Sequence, residues 1–125
     1  RMDSDLFEYL VGSVEGTLEN TSLISWKNKS AVCIVLASKG YPESYPKGEE
    51  IFGLGNTFDD AYIFHAGTKE LDKKTITNGG RVLGVTALGD TLEAAIKRAY
   101  DVTEKISWEN KYLRTDIGKK GLSHL

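Results

Sequence analysis

Three short glycine-containing segments are the best candidates for a binding site in this 125-residue sequence. They are residues 38–42 (SKGYP), 65–69 (HAGTK) and 77–81 (TNGGR). Each follows a predicted strand and carries a lysine or an arginine within it or beside a glycine. Glycines allow backbone N–H groups to converge on an anion, and a cation supplies the opposite charge. The pattern therefore suits a phosphate group.

The third segment combines the consecutive glycines Gly79 and Gly80 with Arg81, whose planar guanidinium can bind a phosphate through two parallel hydrogen bonds. Lys39 and Lys69, in the other two segments, would act as point charges. A second interpretation stays open, because Asn-Gly-Gly is also a typical hairpin turn and a lysine after a turn is usually a solvated charge. The binding interpretation requires that all three segments lie at one edge of the sheet.

Other kinds of site lack support in the sequence. No segment ends in the Gly-Lys-Ser/Thr of a phosphate loop, and residues 53–55 are too short for a dinucleotide fingerprint. The lone His65 is interpreted as a hydrogen-bonded strand histidine, and no His or Cys pair has metal-ligand spacing. The acidic pair Asp59 and Asp60 reads as a solvated turn. We therefore predict neither a catalytic residue nor a metal ligand.

Composition indicates one ordinary globular domain. Apolar residues make up 40% and charged residues 27%, with a formal net charge of −2. Nucleic-acid and membrane-surface partners usually require a basic excess, so we expect neither. The single cysteine, Cys33, cannot form an intrachain disulfide, and its place in the apolar run 31–37 predicts a buried thiol. A reducing, cytoplasmic compartment fits this usage.

The N-terminal residues 1–16 predict a helix, because apolar residues recur at helical spacing from Leu6 to Val14. Ser4 is the expected N-cap, and Gly12 or Gly16 the expected end. Residues 17–30 read as a connection with a short helical turn.

The remaining elements are mainly strands. Residues 29–38 predict a buried strand, residues 39–48 a proline-shaped loop, and the following strands are expected at 51–54, 61–66, 75–77 and 81–88. Asp90, in capping-box register with Glu93, should open a helix whose apolar face extends to Ile106. Residues 108–125 read as a frayed tail. These elements predict an α+β fold with a mainly antiparallel sheet and one long amphipathic helix, preceded by the N-terminal helix.

The glycine segments also carry a family resemblance. Residues 37–48, 64–69, 77–86, 99–100 and 114–118 resemble, in order and spacing, the C-terminal domain region of the phosphoribosylamine–glycine ligase (glycinamide ribonucleotide synthetase) family. Residues 1–6 are similar to the stretch where the family's ATP-grasp core ends. The resemblance implies a helix and connection from that core over residues 1–28 and a C-terminal α+β domain over 29–125. Departures are Glu43, where the family tends to have Gly, and residues 108–110.

The resemblance implies that the full enzyme joins glycine to 5-phosphoribosylamine in purine synthesis, giving glycinamide ribonucleotide, ADP and phosphate. ATP would phosphorylate the glycine carboxylate, and the ribosylamine nitrogen would attack the acyl phosphate. The family's ATP and magnesium sites lie upstream of Arg1, so the chain alone is expected to be inactive. Gly79, Gly80 and Arg81 would face the ribose phosphate. Lys39 and Lys69 would contact substrate or the interdomain surface.

Two further function classes stay open beside the ligase piece. One is a stand-alone module that binds a phosphorylated ligand or a partner protein, and the other is a structural domain whose turns are only turns. A ligase piece should expose an apolar patch where the upstream core packs, whereas a stand-alone module should be polar all round. A first residue of Arg1, and the adjacent apolar pair Leu6 and Phe7, favour the piece.

Overall fold

The chain forms a four-stranded antiparallel sheet that is covered on one face by a helix. The computed structural model describes residues 1–124. In chain order the elements are α1 (Leu6–Glu15), a 3₁₀ turn (Leu18–Asn20), β1 (Ser30–Ser38), β2 (Ala61–His65), β3 (Thr68–Leu71), β4 (Lys74–Thr77), β5 (Arg81–Gly89), α2 (Leu92–Thr103), β6 (Lys111–Tyr112) and α3 (Lys119–Leu122). The sheet order is β2-β5-β1-β6, and β3 and β4 form a separate two-stranded sheet. The predicted α+β class with antiparallel strands is confirmed.

The core lies between the sheet and α2. The β-branched run of β1 turns Val32, Ile34 and Leu36 toward this core, as the two-residue period of a strand requires. Helix α2 buries Ala95 and Ala99 against them, and these small side chains let the helix approach the sheet closely. None of the helices in residues 1–124 has the length and apolar character needed to cross a membrane.

Helix α2 differs from its prediction at both ends. Its N-cap is Thr91, whose hydroxyl accepts a hydrogen bond from the amide of Ala94, so the prediction of Asp90 as cap is wrong. The carboxylate of Asp90 instead pairs with Lys29. The helix has 12 residues and ends at Thr103, which does not confirm the predicted long helix.

Helix α1 is present where the sequence predicted a helix, with a different cap. Asp5 accepts a hydrogen bond from the amide of Phe7, whereas the hydroxyl of Ser4 accepts one from Ser25. Both residue types are good N-caps, so their adjacency made the sequence ambiguous by one residue. Gly16, at φ 70°, ends the helix, as one of the two predicted alternatives had it.

The β3–β4 hairpin was only half predicted. The strand β3 carries Lys69 and Glu70 and lacks apolar alternation, so its sequence gave no strand signal. The hairpin turns at Asp72 and Lys73, which both adopt positive φ. The predicted strand at 51–54 is wrong, because only Phe52 forms an isolated bridge there.

The predicted frayed tail is also wrong, since residues 108–122 are folded onto the domain. Trp108 is 6% exposed. The Tyr100 hydroxyl donates to the carbonyl of Arg114 at 2.8 Å and accepts from the amide of Ile117 at 3.1 Å. Polar composition hid this packing, because few widely spaced apolar residues hold the segment.

Lys111 joins this C-terminal segment to α2. Its ammonium donates to the carbonyls of Thr103, the last residue of the helix, at 2.9 Å and of Ile106, three residues beyond it, at 2.6 Å. A cation here satisfies orphan carbonyls and complements the helix dipole. Burial lowers the pKa of Lys111, against the raising influence of Glu104.

Replacing Lys111 with methionine should therefore lower the free energy of unfolding by about 1–3 kcal/mol, because two carbonyls lose a charged donor. Urea titration at neutral pH measures the change. Lys105→Met is the matched control, since Lys105 is exposed and should shift stability by no more than about 0.5 kcal/mol. Equal effects of the two substitutions would contradict the capping role.

Candidate functional site

The three glycine segments meet at one end of the four-stranded sheet, where β1 and β2 end and β5 begins. The amide of Gly67 donates to the carbonyl of Arg81 at 2.9 Å, and the amide of Asn78 donates to Gly67 at 2.7 Å. The amide of Ser38 donates to the carbonyl of Gly80 at 2.8 Å. All three segments therefore lie at one edge of the sheet, as the binding interpretation requires.

Close backbone packing explains why glycine occupies these positions. A Cβ atom on Gly67 would lie 2.5 Å from the carbonyl oxygen of Arg81 and 2.8 Å from the Cα of Gly79. A Cβ atom on Gly80 would lie 1.9 Å from the ring of Tyr41. Residues 77–81 do not form a hairpin turn, because β4 and β5, the strands that they join, belong to different sheets.

A β-bulge sets the direction of Arg81. Along β5, Leu83, Val85 and Ala87 are buried, so a regular two-residue period would aim Arg81 into the same core. The register with β1 shifts by one residue here, since Leu36 lies opposite Leu83 while Ala37 lies opposite Arg81. The extra residue reverses the alternation, and Arg81 is exposed on the other face of the sheet.

That other face, which we call the open face, is not covered by α2. Its exposed side chains include Cys33 and Val35 of β1 and Tyr62 and Phe64 of β2. The predicted buried thiol is therefore wrong. The even-numbered residues of this part of β1 face the core, so the odd-numbered Cys33 faces the open side. The seven-residue apolar run concealed this alternation in the sequence.

Arg81 and Tyr41 lie between two cavities on the open face. The first has a volume of about 570 Å³, and its other wall residues are Val35, Phe64, Ala66, Gly67, Gly80, Leu83 and Gly84. The second has a volume of about 270 Å³, and its other wall residues are Cys33, Val35, Ala37, Tyr112, Leu113, Arg114 and Ile117. The chain therefore presents one arginine to two adjoining, mainly apolar cavities.

Several donor groups at this end of the sheet have no acceptor in the described part of the chain. Within residues 1–124, Arg81 forms no ion pair. The amides of Gly79 and Gly80 likewise donate to no protein acceptor in the described part of the chain. Lys39 and Lys69 are exposed and line neither of the two cavities beside Arg81. The structure thus brings Gly79, Gly80 and Arg81 together and leaves the two lysines at the periphery.

The second cavity has an ion pair at its rim. Arg114 donates two hydrogen bonds to Asp116, at 2.9 and 2.6 Å. Hydrogen bonding to Asp116 raises the pKa of Arg114 above its ordinary value, and the same bonds lower the pKa of Asp116. Because its charge is already matched, Arg114 is a weaker anion ligand than Arg81.

The remaining polar groups near this end have structural partners. His65 ends β2, and its Nδ1 lies 3.0 Å from the hydroxyl of Thr68, which confirms the hydrogen-bonded strand histidine. Among the residues that the structure describes, no group of three or more His, Cys, Asp or Glu side chains could hold a metal ion.

Comparison with protein families assigns most of the chain to a known family. Residues 31–120 match the family model of the phosphoribosylglycinamide synthetase C domain. The chain belongs to this family. The matched range contains all three glycine segments, Arg81 and Arg114, and the four-stranded sheet except its first residue, Ser30.

Curated relatives and a solved structure agree with the assignment. The chain is 48% identical over 118 residues to a phosphoribosylamine–glycine ligase of Synechocystis, and 47% identical over 127 residues to a bifunctional purine biosynthetic protein of Dictyostelium discoideum. A crystal structure of phosphoribosylamine–glycine ligase from Thermotoga maritima superposes with a TM-score of 0.68 at 37% identity, over 87% of this chain.

The chain spans only part of these proteins. It covers 28% of the Synechocystis protein, 16% of the Dictyostelium protein and 27% of the Thermotoga chain. It corresponds to the C-terminal domain of these longer enzymes.

Sequence analysis missed two residues of the site, Ser38 and Tyr41. Both occur in the first glycine segment, from which only Lys39 was predicted as a candidate site residue. A signal was present, since a serine at a strand end and an aromatic residue after a glycine are both able to brace a neighbouring turn.

Gly67→Ala should lower the free energy of unfolding by about 2 kcal/mol or more, because its Cβ would meet backbone atoms on both sides. Gly55→Ala is the control, since a Cβ there meets nothing within 4 Å and the substitution should be nearly neutral. Thermal or urea unfolding of the two variants decides the point. A neutral Gly67→Ala would show that the segments are not locked together.

Proposed function

We propose that this chain is the C-terminal region of an ATP-grasp phosphoribosylamine–glycine ligase and that its open face helps to form the substrate site. The observation that carries the proposal is that Arg81 and Gly80 line one cavity, that the Gly80 amide has no acceptor within residues 1–124, and that Gly79 is the adjacent residue of the turn. Family membership supplies the reaction, and the geometry supplies the part that these residues would take in it.

The proposed reaction joins glycine to 5-phosphoribosylamine with cleavage of ATP to ADP and phosphate. The family's chemistry passes through a phosphorylated glycine carboxylate that the ribosylamine nitrogen attacks. We assign ATP, magnesium and glycine to the upstream core, as the resemblance implies. The task left to this chain is to position the second substrate, since holding two reactants in line supplies much of the rate enhancement in such reactions.

We assign the 5′-phosphate of phosphoribosylamine to Gly79, Gly80 and Arg81. Arg81 has no carboxylate partner within residues 1–124, so its charge is available. A guanidinium and a pair of backbone amides are together a common phosphate site, because they combine charge with fixed donor geometry. Lys39 and Lys69, both exposed, are proposed as contacts to substrate or to the neighbouring domain.

The exposed apolar surface supports packing against an upstream core. Helix α1 exposes an apolar stripe that includes Phe7, 69% exposed, and Val14, 89% exposed. Val35 and Phe64 are exposed on the open face. An exposed apolar stripe of this kind is typical of an interaction site, and it disfavours a stand-alone module with a polar surface.

We propose the domain boundary near residues 28 and 29. Residues 1–28 close on themselves, since the amide of Asp3 donates to Ser25 and that of Lys27 donates to Arg1. The family match begins just beyond, at residue 31. A reducing, cytoplasmic compartment suits the exposed free thiol of Cys33.

The first test is Arg81→Ala in the full-length gene product. Loss of a charge-assisted pair should raise the KM for phosphoribosylamine, or lower kcat/KM, by roughly one to three orders of magnitude, about 1.5–4 kcal/mol. Steady-state kinetics with each substrate varied in turn measures the effect, and the KM values for ATP and glycine should stay unchanged.

Lys97→Ala is the charge-matched control for this test. Lys97 is exposed on α2 and pairs with Asp101, so its removal changes the net charge equally without touching the site. Kinetics of Arg81→Ala equal to those of the control would remove the phosphate assignment.

The second test concerns α1. Leu10→Ala should lower the melting temperature of the full-length gene product by several degrees. Truncating a leucine that packs against the upstream core should reduce the free energy of unfolding by about 2–5 kcal/mol. Glu8→Ala, an equally exposed position of the same helix, should have little effect. Scanning calorimetry of both variants provides the comparison, and equal melting temperatures would count against packing of this helix on the core.

A further inference from the structure

Ser38, the last residue of β1, holds the Gly79–Gly80 turn through both of its donors. Its amide donates to the carbonyl of Gly80 at 2.8 Å, and its hydroxyl donates to the carbonyl of Gly79 at 3.2 Å. The residue is 0% exposed. A fully buried hydroxyl that bonds a neighbouring turn is a fixed support, since leaving the bond unmade would cost the desolvation of both groups.

These two bonds decide which way the N–H groups of the turn point. In a planar trans peptide the C=O and the N–H point in opposite directions. Because the carbonyl of Gly79 faces the Ser38 hydroxyl, the amide of Gly80 faces away from Ser38. That amide donates to no acceptor within the described part of the chain, and Gly80 lines the larger cavity beside Arg81.

The Gly79–Gly80 peptide needs such a support. It lies between two glycines, which have more backbone freedom than any other residue pair. The amide of Ser38 fixes only the neighbouring carbonyl, that of Gly80. A flip of the peptide between the glycines would turn the Gly80 amide toward Ser38 and remove a donor from the cavity, and the Ser38 hydroxyl opposes that flip.

We propose that Ser38 is a positioning residue of the anion site. Its hydroxyl orients the Gly79–Gly80 peptide so that the Gly80 amide and the Arg81 guanidinium face the same phosphate. This inference rests on the proposed function of the turn. Ser38 does not touch the ligand and acts only through the peptide that it holds.

The test compares Ser38→Ala with Ser38→Cys in the full-length gene product. Cysteine is close to serine in size but is a weak donor, so it separates loss of the hydrogen bond from loss of volume. Ribose 5-phosphate is the probe, as a competitive inhibitor against phosphoribosylamine. We expect its inhibition constant to rise about tenfold in both variants, with the KM for ATP and glycine changed less than twofold.

Val102→Ala controls for lost stability. Val102 is fully buried on α2, so its truncation weakens the fold from the opposite side of the sheet. Ser38→Thr, which retains the hydroxyl, should restore the inhibition constant to within about threefold of the starting protein if it folds. Inhibition constants of Ser38→Cys and Ser38→Ala that match the Val102→Ala value would overturn the positioning role.

Arg81→Ala separates this inference from the function on which it rests. If the inhibition constant rises in Arg81→Ala but not in the Ser38 variants, the phosphate site stands and the role of Ser38 falls. An inhibition constant that is unchanged in Arg81→Ala overturns the phosphate assignment itself, and with it the positioning role.

Discussion

Strands β1 and β5 pair from Ser30 opposite Gly89 to Ala37 opposite Arg81, and this ladder fixes the positions of the other elements. It provides one face for α2 and leaves the other open. It also brings the end of β1 beside the start of β5, so that two glycine segments far apart in sequence become neighbours. The one-residue bulge at the end of the ladder then turns Arg81 from the core side to the open side.

The site at this end combines rigidity with unsatisfied donors. Gly67 and Gly79 touch through their backbones, and the ring of Tyr41 covers Gly80, so no side chain can be added without displacing a neighbour. Within residues 1–124, the amides of Gly79 and Gly80 have no protein acceptor and the adjacent guanidinium of Arg81 forms no ion pair. A preorganised group of donors loses little entropy when an anion binds, which is the physical advantage of building the site from locked backbone.

The open face and α1 both carry apolar side chains that no other part of the described chain covers. The apolar run of β1 is typical of a strand covered on both faces, yet Cys33 and Val35 are exposed. The chain spans about a quarter of the single-function relatives that it matches. Both facts agree with the proposal that other parts of a longer protein cover this face.

Local periodicity and short ordered motifs were enough to predict the α+β class, the family, both main helices and the strands β1, β2, β4 and β5. It also identified the glycine segments and Arg81 as suited to an anion. Tertiary contacts were needed to establish the caps at Asp5 and Thr91, the ordered tail, the exposure of Cys33 and the direction of Arg81. The two caps depend on distant partners of the competing residues, because Ser4 accepts a hydrogen bond from Ser25 and Asp90 pairs with Lys29. The ordered tail, the exposure of Cys33 and the direction of Arg81 depend on packing between residues distant in sequence, and a single bulge reverses the alternation from which a side chain's direction is read.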